Sequence, residues 1–285
     1  MIESIKWRIS LVDRLETLLR HFSVSANVFH SGALCGVNEL GEEEGAGQLH
    51  LVRSGEVGVS HGGAEVVRVS GPCLLLYPRP LAHRFITDAA HGADFVCAHL
   101  RFEGGAANPI AAALPAFVHL PLAQVEGAAG VLQLLFEEAF EQRCGRQALL
   151  DRLFDVVLIQ VLRHLMENGE TRSGMLAGLS HPRLRNAIVA MHQHPAQEWS
   201  LEALADRAGM SRSVFANQFR DAVGCTPGVY LQRWRVGLAQ QALRRGQPLK
   251  LIAADVGYGS EAALSRAFKA QCGQTPREWK LAQPG

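Results

Sequence analysis

No stretch of this chain approaches the ~18 consecutive apolar residues of a membrane-spanning helix, which argues against insertion into a bilayer by helices. Its first residues, Met1-Ile-Glu-Ser-Ile-Lys-Trp7, show no basic start, apolar run or small-residue cleavage site. The expectation is a cytoplasmic protein without a leader. Cysteine is sparse, and Cys35, Cys73, Cys97, Cys144, Cys225 and Cys272 never fall into CxxC spacing. That argues against a disulfide framework or a structural zinc cluster and implies mostly reduced thiols. Net charge is nearly absent as well, at +1.

The near-zero total conceals an asymmetry. Residues 1–180 hold 14 Lys+Arg against 20 Asp+Glu, and residues 181–285 hold 14 against 7, so the two parts carry −6 and +7. A length of 285 residues with 48% apolar content suits two domains, each with its own core. A change of charge sign at their boundary points to a cationic module for an anionic polymer, attached to a module with another task.

The basic part contains one pattern twice. Leu201-Glu-Ala-Leu204-Ala205-Asp-Arg-Ala-Gly209 recurs as Leu249-Lys-Leu-Ile252-Ala253-Ala-Asp-Val-Gly257, at an offset of 48. Beyond the turn the offset becomes 49, and Phe219, Gly224, Pro227 and Tyr230 reappear as Phe268, Gly273, Pro276 and Trp279. Each copy reads as a short amphipathic helix, a glycine turn and a second helix opening on Ser211 or Ser260. That is a helix-turn-helix, whose second helix enters the DNA major groove.

Helical spacing selects the side chains that reach DNA. Phe215 and Phe219 must face the core, which places Ser213, Asn217 and Arg220 on the opposite side. In the second copy Leu264 and Phe268 face inward, opposite Ala262, Arg266 and Lys269. Asn clamps adenine and Arg clamps guanine, so Asn217 and its positional twin Arg266 are the candidate base readers. Arg212, Arg220 and Lys269 suit phosphates. Gln218, Glu261 and Ser265 complete the candidate DNA-contacting set. Between the copies, Thr226-Pro227 reads as a helix start and Gly246 as its end, a spacer roughly 25 Å long. Trp199-Ser200 looks like a staple around a further cap. His192 and His194 flank a helix end and are expected to be solvated.

The acidic part is different in texture. Leu11, Leu15, Leu18 and Leu19 predict a helix over 10–21. From about 23 to 103, short runs are punctuated by glycine: Gln48–Arg53, Glu56–Ser60, Glu65–Val69, Cys73–Tyr77, His83–Ile86 and Phe95–Phe102. His61-Gly62-Gly63 is a hairpin signal, and strands this short favour a small barrel or sandwich. Residues 42–47 read as a mobile loop. Helices follow over Gly130–Arg143 and Gln147–Asn168, the second with an apolar stripe wide enough to cover the barrel or a second copy of the chain. Residues 169–180 have the composition of a linker.

The residues quoted from Ser200 to Pro227 and from Ile252 to Trp279 closely resemble the AraC/XylS family of bacterial transcription regulators, over about 181–281. The resemblance implies a seven-helix DNA-binding domain, action at promoters with RNA polymerase, no catalysis, and a regulatory domain that senses a signal. Asn217-Gln218 departs from the arginines often found there. Leu34-Cys35-Gly36, Gln48-Leu49-His50 and Gly71 to Arg84 resemble the cupin-type sensor of one branch of that family.

The fold class expected is therefore α+β in two domains: a cupin-like β-barrel with flanking helices over 1–168, a linker over 169–180, and over 181–285 an all-α domain of two helix-turn-helix motifs joined by a linker helix. In a cupin the strands of His50 and His83 adjoin, so Cys35, His50 and His83 are candidate ligands for Cu(I) or Zn. The alternative is a small hydrophobic Cys35 beside histidines that line an organic-effector pocket. Cys35, Cys73 and Cys97 are also candidate redox sensors, with Cys97 and His99 alternating toward one face of a strand. The competing function is a cupin-type metal-dependent enzyme with secondary DNA binding.

Overall fold

The computed structural model describes residues 13–41, 45–169 and 173–282, and contacts within it divide the chain into two compact units. One comprises residues 22–172. The other joins the segment up to His21 to everything from Ser173 onward.

Among the described residues of the first unit, nine strands form two antiparallel sheets. The strands are β1 (Val24–Leu34), β2 (Val37–Leu40), β3 (Ala46–Ser54), β4 (Glu56–His61), β5 (Ala64–Ser70), β6 (Cys73–Tyr77), β7 (His83–Ile86), β8 (Ala93–Phe102) and β9 (Val118–Pro121). One sheet has the order β1-β8-β3-β6-β9 and the other β2-β7-β4-β5. The six strands expected from alternation are all present. The further three, β1, β2 and β9, carry too many Ser, Asn, His and Gly to stand out by hydrophobicity. At the β4–β5 hairpin Gly62 and Gly63 both have positive φ, 57° and 89°, as a two-residue turn matched to strand twist requires.

Strand β6 is buried at every position and β3 at its first seven, so both faces of these strands are covered. Their inward side packs with the second sheet around Val52, Val57, Val59, Leu75, Phe85, Phe95 and Cys97. The helices of this unit are α2 (Pro109–Ala113), α3 (Ala129–Phe140) and α4 (Arg146–Glu167). Helix α4 lies along β1, one of the two edge strands of the larger sheet.

An edge strand exposes unpaired backbone groups, and α4 satisfies them. Asp151 Oδ1 accepts from the Val28 amide at 2.8 Å and Asp155 Oδ1 from the Ala26 amide at 2.9 Å. Gln147 Nε2 donates to the Val28 carbonyl at 2.9 Å. Positions 147, 151 and 155 share one helix face, and the strand residues they serve share one edge. Asp151→Ala is expected to lower the stability of this unit by about 1–3 kcal/mol, because it orphans the Val28 amide. A urea melt of the variant with an unchanged midpoint would remove that role.

The second unit is helical: α1 (Glu16–His21), α5 (Met175–Ser180), α6 (Leu184–Gln193), α7 (Leu201–Arg207), α8 (Arg212–Val223), α9 (Pro227–Arg244), α10 (Leu249–Asp255), α11 (Glu261–Cys272) and α12 (Pro276–Leu281). Seven of them, α6 to α12, fall within 181–281. The repeat is visible in the caps. Ser211 and Ser260 accept from the backbone of Val214 and Ala263, and Thr226 and Thr275 cap α9 and α12 ahead of a proline. Gly224 and Gly273 close α8 and α11 in the left-handed conformation. One pair differs: Ser200 caps α7 with its side chain, whereas Pro248 at the start of α10 makes no such bond.

Three expectations need amendment. Residues 175–180, read as linker, form helix α5, with Met175, Leu176 and Leu179 buried. Gly178 is there for contact rather than flexibility, since a Cβ would lie 2.5 Å from Ile188 Cδ1 and 2.8 Å from Val223 Cγ2. The helix expected over 10–21 is α1, which packs on α6 and so belongs with the helical unit rather than with the strands that follow it; positions 10–12 lie outside the described residues. In the segment expected as a loop, residues 42–44 also lie outside them, and Ala46 and Gly47 already belong to β3.

Candidate nucleic-acid interface and histidine-lined interior

Helices α8 and α11 are each the second member of a helix pair. In each, two aromatic or aliphatic side chains anchor the inner face: Phe215 and Phe219 in α8, Leu264 and Phe268 in α11, all buried. The turns that precede them bend at Gly209 and Gly257, with φ of 62° and 82°. Anchoring one face leaves the other to solvent. Arg212, Ser213, Asn217 and Arg220 are exposed on α8, and Glu261, Ala262, Arg266 and Lys269 on α11. Ser265 is half-buried. So is Gln218, whose Oε1 is fully enclosed without a hydrogen-bond partner, so that oxygen is turned away from any ligand on the outer face. Glu261 occupies the first turn of α11, where its carboxylate complements the helix dipole.

The helical unit also buries a histidine that the sequence reading left in solvent. His192 is 1% exposed. Its ring stacks on Trp234 at 3.7 Å between centroids, and its Nε2 lies 2.7 Å from the Tyr230 hydroxyl. Tyr230 and Trp234 are one turn apart on α9, so this stack fixes α9 to α6. Burial pushes the His192 pKa down to about 3, which keeps the ring neutral.

In the strand unit, alternation brings histidines into the space between the sheets. His50 on β3 and His83 on β7 come from opposite sheets rather than from adjoining strands, and their Nε2 atoms are 3.1 Å apart. His83 Nδ1 donates to the Leu81 carbonyl at 2.7 Å, so its Nε2 accepts and His50 Nε2 donates. His50 Nδ1 is then an acceptor, buried and without a partner. Phe85, Tyr77 and Phe29 pack edge-on around the His50 ring, and Tyr77 stacks on His83 at 3.9 Å. Tyr77 also meets His61 Nε2 through its hydroxyl at 3.0 Å. Burial holds the His50 pKa well below the ordinary value and pushes His83 down to about 4. Tyr77 lay within the Gly71 to Arg84 resemblance and His61 within the hairpin signal, but neither was a candidate for this site. The sequence signal that points them into the interior is a parity shared with Leu75 and Val59.

Cys35 does not join this cluster. It is exposed in the β1–β2 turn beside Gly92. The neighbouring Leu34 pairs with Ala93, four residues along β8 from Cys97, the partner of His50. Among the described residues, no group of three or more His, Cys, Asp or Glu is placed to hold a metal ion. Two imidazoles with His83 Nδ1 fixed by a carbonyl resemble half of a metal site, but the cage expected from Cys35, His50 and His83 is not assembled. As redox thiols, Cys73 and Cys97 are poorly placed. Both are buried in the core between the sheets, where burial pushes the Cys73 pKa up to about 12 and raises that of Cys97 further. Cys35 is the accessible thiol of the three.

Comparison with known proteins agrees with both halves of this description. A family model described as Cupin matches residues 13–167, and one described as Helix-turn-helix domain matches residues 204–282. The chain belongs to the AraC-type regulator family, in the branch that joins a cupin domain to this helix-turn-helix domain. A putative AraC-like transcription regulator of Streptomyces antibioticus is 40% identical over 171 residues, 59% of this chain and 56% of that protein. The HTH-type transcriptional regulator AlkR of Acinetobacter baylyi is 37% identical over 200 residues, 68% of this chain and 65% of that protein. The match thus spans less than two thirds of the length of either relative. The RCS-specific HTH-type transcriptional activator RclR of Escherichia coli is 29% identical over 246 residues, 83% of this chain and 86% of that protein. Among the described residues no helix is long and apolar enough to cross a membrane.

Proposed function

We propose that this protein is a sequence-specific DNA-binding transcription regulator whose N-terminal cupin-like barrel receives the signal. The observation that carries the reading is the pair of capped, aromatic-anchored helices α8 and α11, each presenting a polar outer face that ends in a cation. Helix α9 acts as the linker, and its 18 residues give a rigid spacer of about 27 Å between the motifs. Asn217 and Arg266 read bases. Arg212, Arg220 and Lys269 meet phosphates, which gives affinity but no sequence information.

The effector enters among His50, His83, Tyr77 and Phe85. His50 Nδ1 accepts a hydrogen bond from it, so a small, largely apolar molecule with one N–H or O–H group suits the site. Such a ligand regulates only by binding two conformations unequally. A resident metal and cupin enzyme chemistry receive less support, because among the described residues no third ligand joins His50 and His83. The regulator works in the cytoplasm, at promoters and upon RNA polymerase. Leu134, Leu149 and Val156, exposed on α3 and α4, support a homodimer.

The test is selection by the full-length protein from a pool of random duplexes. Two short preferred segments about 10 base pairs apart, centre to centre, are expected to emerge, with affinity falling steeply as salt rises. A pool that shows no enrichment at low ionic strength removes the reading.

A further inference from the structure

Helices α8 and α11 have fixed internal structures, yet nothing within either motif sets the distance between them. That setting is shared by α9, the spacer packed against both motifs, and the place where the two motifs touch. Helix α6 and the loop after it, residues 194–200, pack against α7 and α8 and form one body with the first motif, and the α10–α11 turn, residues 256–260, belongs to the second. Gly257 lies directly against that loop. A Cβ on it would stand 2.7 Å from Ala196 Cα and 2.8 Å from the Ala196 carbonyl oxygen, both backbone atoms that cannot give way. Its φ of 82° imposes the same choice of residue a second time.

Arg235 on α9 closes this seam. Its Nε donates to the Pro195 carbonyl at 2.7 Å and its Nη2 to the Gln197 carbonyl at 2.9 Å, both in the first motif. Its Nη1 donates to the Gly257 carbonyl at 3.3 Å, in the second. The guanidinium also sits 5.7 Å from the centre of the Tyr258 ring. One planar cation therefore serves three backbone carbonyls from two motifs, in a geometry that a single ammonium cannot reproduce. Tyr230 and Trp234, just before it on α9, are fixed to α6 by His192. The clamp is thus mounted on the first motif and grips the second.

We propose that Arg235 is a positioning residue that sets the spacing and angle between the two recognition helices, and through them the distance between the DNA segments the protein accepts. The inference rests on the regulator reading above. One base pair changes separation by about 3.4 Å and rotation by about 35°, so a rigid pair of readers discriminates spacing and a loosened pair does not. The contact touches no base. Its effect on specificity is entirely indirect.

The experiment uses the full chain and two readouts. In the first, without DNA, spin labels on non-natural residues at Ser213 and Ala262 report the distance between α8 and α11. The unmodified chain gives one narrow distribution. Arg235→Gln broadens it at least about twofold, Arg235→Lys falls between, and Gly257→Ala broadens it by the second route. In the second, affinity is measured for the selected duplex and for versions with one base pair inserted or removed between its segments. Spacing discrimination of about tenfold in the unmodified chain falls to about threefold or less in Arg235→Gln, while a duplex carrying one segment binds as before. An unchanged distance distribution in Arg235→Gln, or preserved spacing discrimination, overturns the proposal. Equal loss on the single-segment duplex does so too, since it would mark damage to the fold of a motif. A broadened distribution in a chain that binds no duplex sustains the clamp and instead removes the regulator reading.

Discussion

Replacing Arg266 with alanine costs about 1–3 kcal/mol on the preferred duplex and almost nothing on a scrambled one, so that preference at one base position collapses by about a factor of five to 150. The expectation follows from where the side chain stands. Leu264 and Phe268 tie α11 down, and Arg266, between them in sequence, projects from the exposed face. On the proposed reading, a guanidinium there donates twice to O6 and N7 of a guanine, a pairing that no other base offers. Lys269, one turn further along that face, predicts the opposite signature. Lys269→Ala weakens all duplexes alike and lowers the slope of log affinity against log salt by about 1, because a phosphate contact releases counterions irrespective of sequence. Fluorescence anisotropy across a salt series separates the two. Equal losses on preferred and scrambled DNA would demote Arg266 to a phosphate contact.

The outward exposure of these positions was legible in the sequence because helix periodicity is a local property. Once Phe215, Phe219, Leu264 and Phe268 are assigned inward, the outer face follows by rotation alone. The duplication supplied a second, independent reading of the same geometry, down to the paired caps Ser211 and Ser260. Strands β6 and β7 were legible to the residue for a similar reason, as short apolar or alternating runs bounded by Gly and Pro. Gln218 shows the limit of that arithmetic. It lies one residue from the outward centre, close enough for its oxygen to turn into the protein.

What the sequence concealed depends on contacts between distant segments. Gly174 and Gly178 look like linker residues until Ile188 and Val223 are seen to press on Gly178. His192 looks solvated beside His194 until Trp234, 42 positions later, covers it. Arg235 carries no local mark at all, because its three partners are backbone carbonyls that any residue would provide. The histidine-lined interior was half visible. His50 and His83 were singled out by resemblance, but whether Cys35 joined them depended on how far along β8 the β1–β2 turn falls.

The buried histidines make acid the most informative perturbant. His83 titrates at about 4 and His192 at about 3 in the native protein, against about 6.5 for both once unfolded. Above pH 6.5 neither state binds a proton there and the rings contribute no pH dependence. Below it the unfolded chain takes up protons that the native chain refuses, so stability falls as pH drops through 6.5 and goes on falling until each native pKa is reached. At pH 4.5 each ring has lost about 3 kcal/mol, from roughly two pKa units at 1.36 kcal/mol each. Among the carboxylates, Asp155 opposes this trend, because burial raises its pKa and protonation of the native form adds stability as pH falls. It lies in the strand unit and not with His192. Asp94, held low by Arg53 and Ser54, contributes stability that is lost only as pH falls below its ordinary value near 3.8. The two histidines lie in separate units, so substitution assigns the effect. His192→Phe keeps the stack on Trp234 and sacrifices the Tyr230 hydrogen bond, which lowers stability at pH 7 by about 1–3 kcal/mol. It also removes the share of the helical unit's acid dependence between pH 6.5 and 4.5 that His192 carries, leaving what His21 and His181, whose pKa values burial also lowers, contribute. Urea melts followed by tryptophan fluorescence, with Trp199, Trp234 and Trp279 all in that unit, report it directly. An acid slope unchanged by His192→Phe would mean that the ring is already protonated in the folded state. The seat of α9 on α6 would then need another explanation.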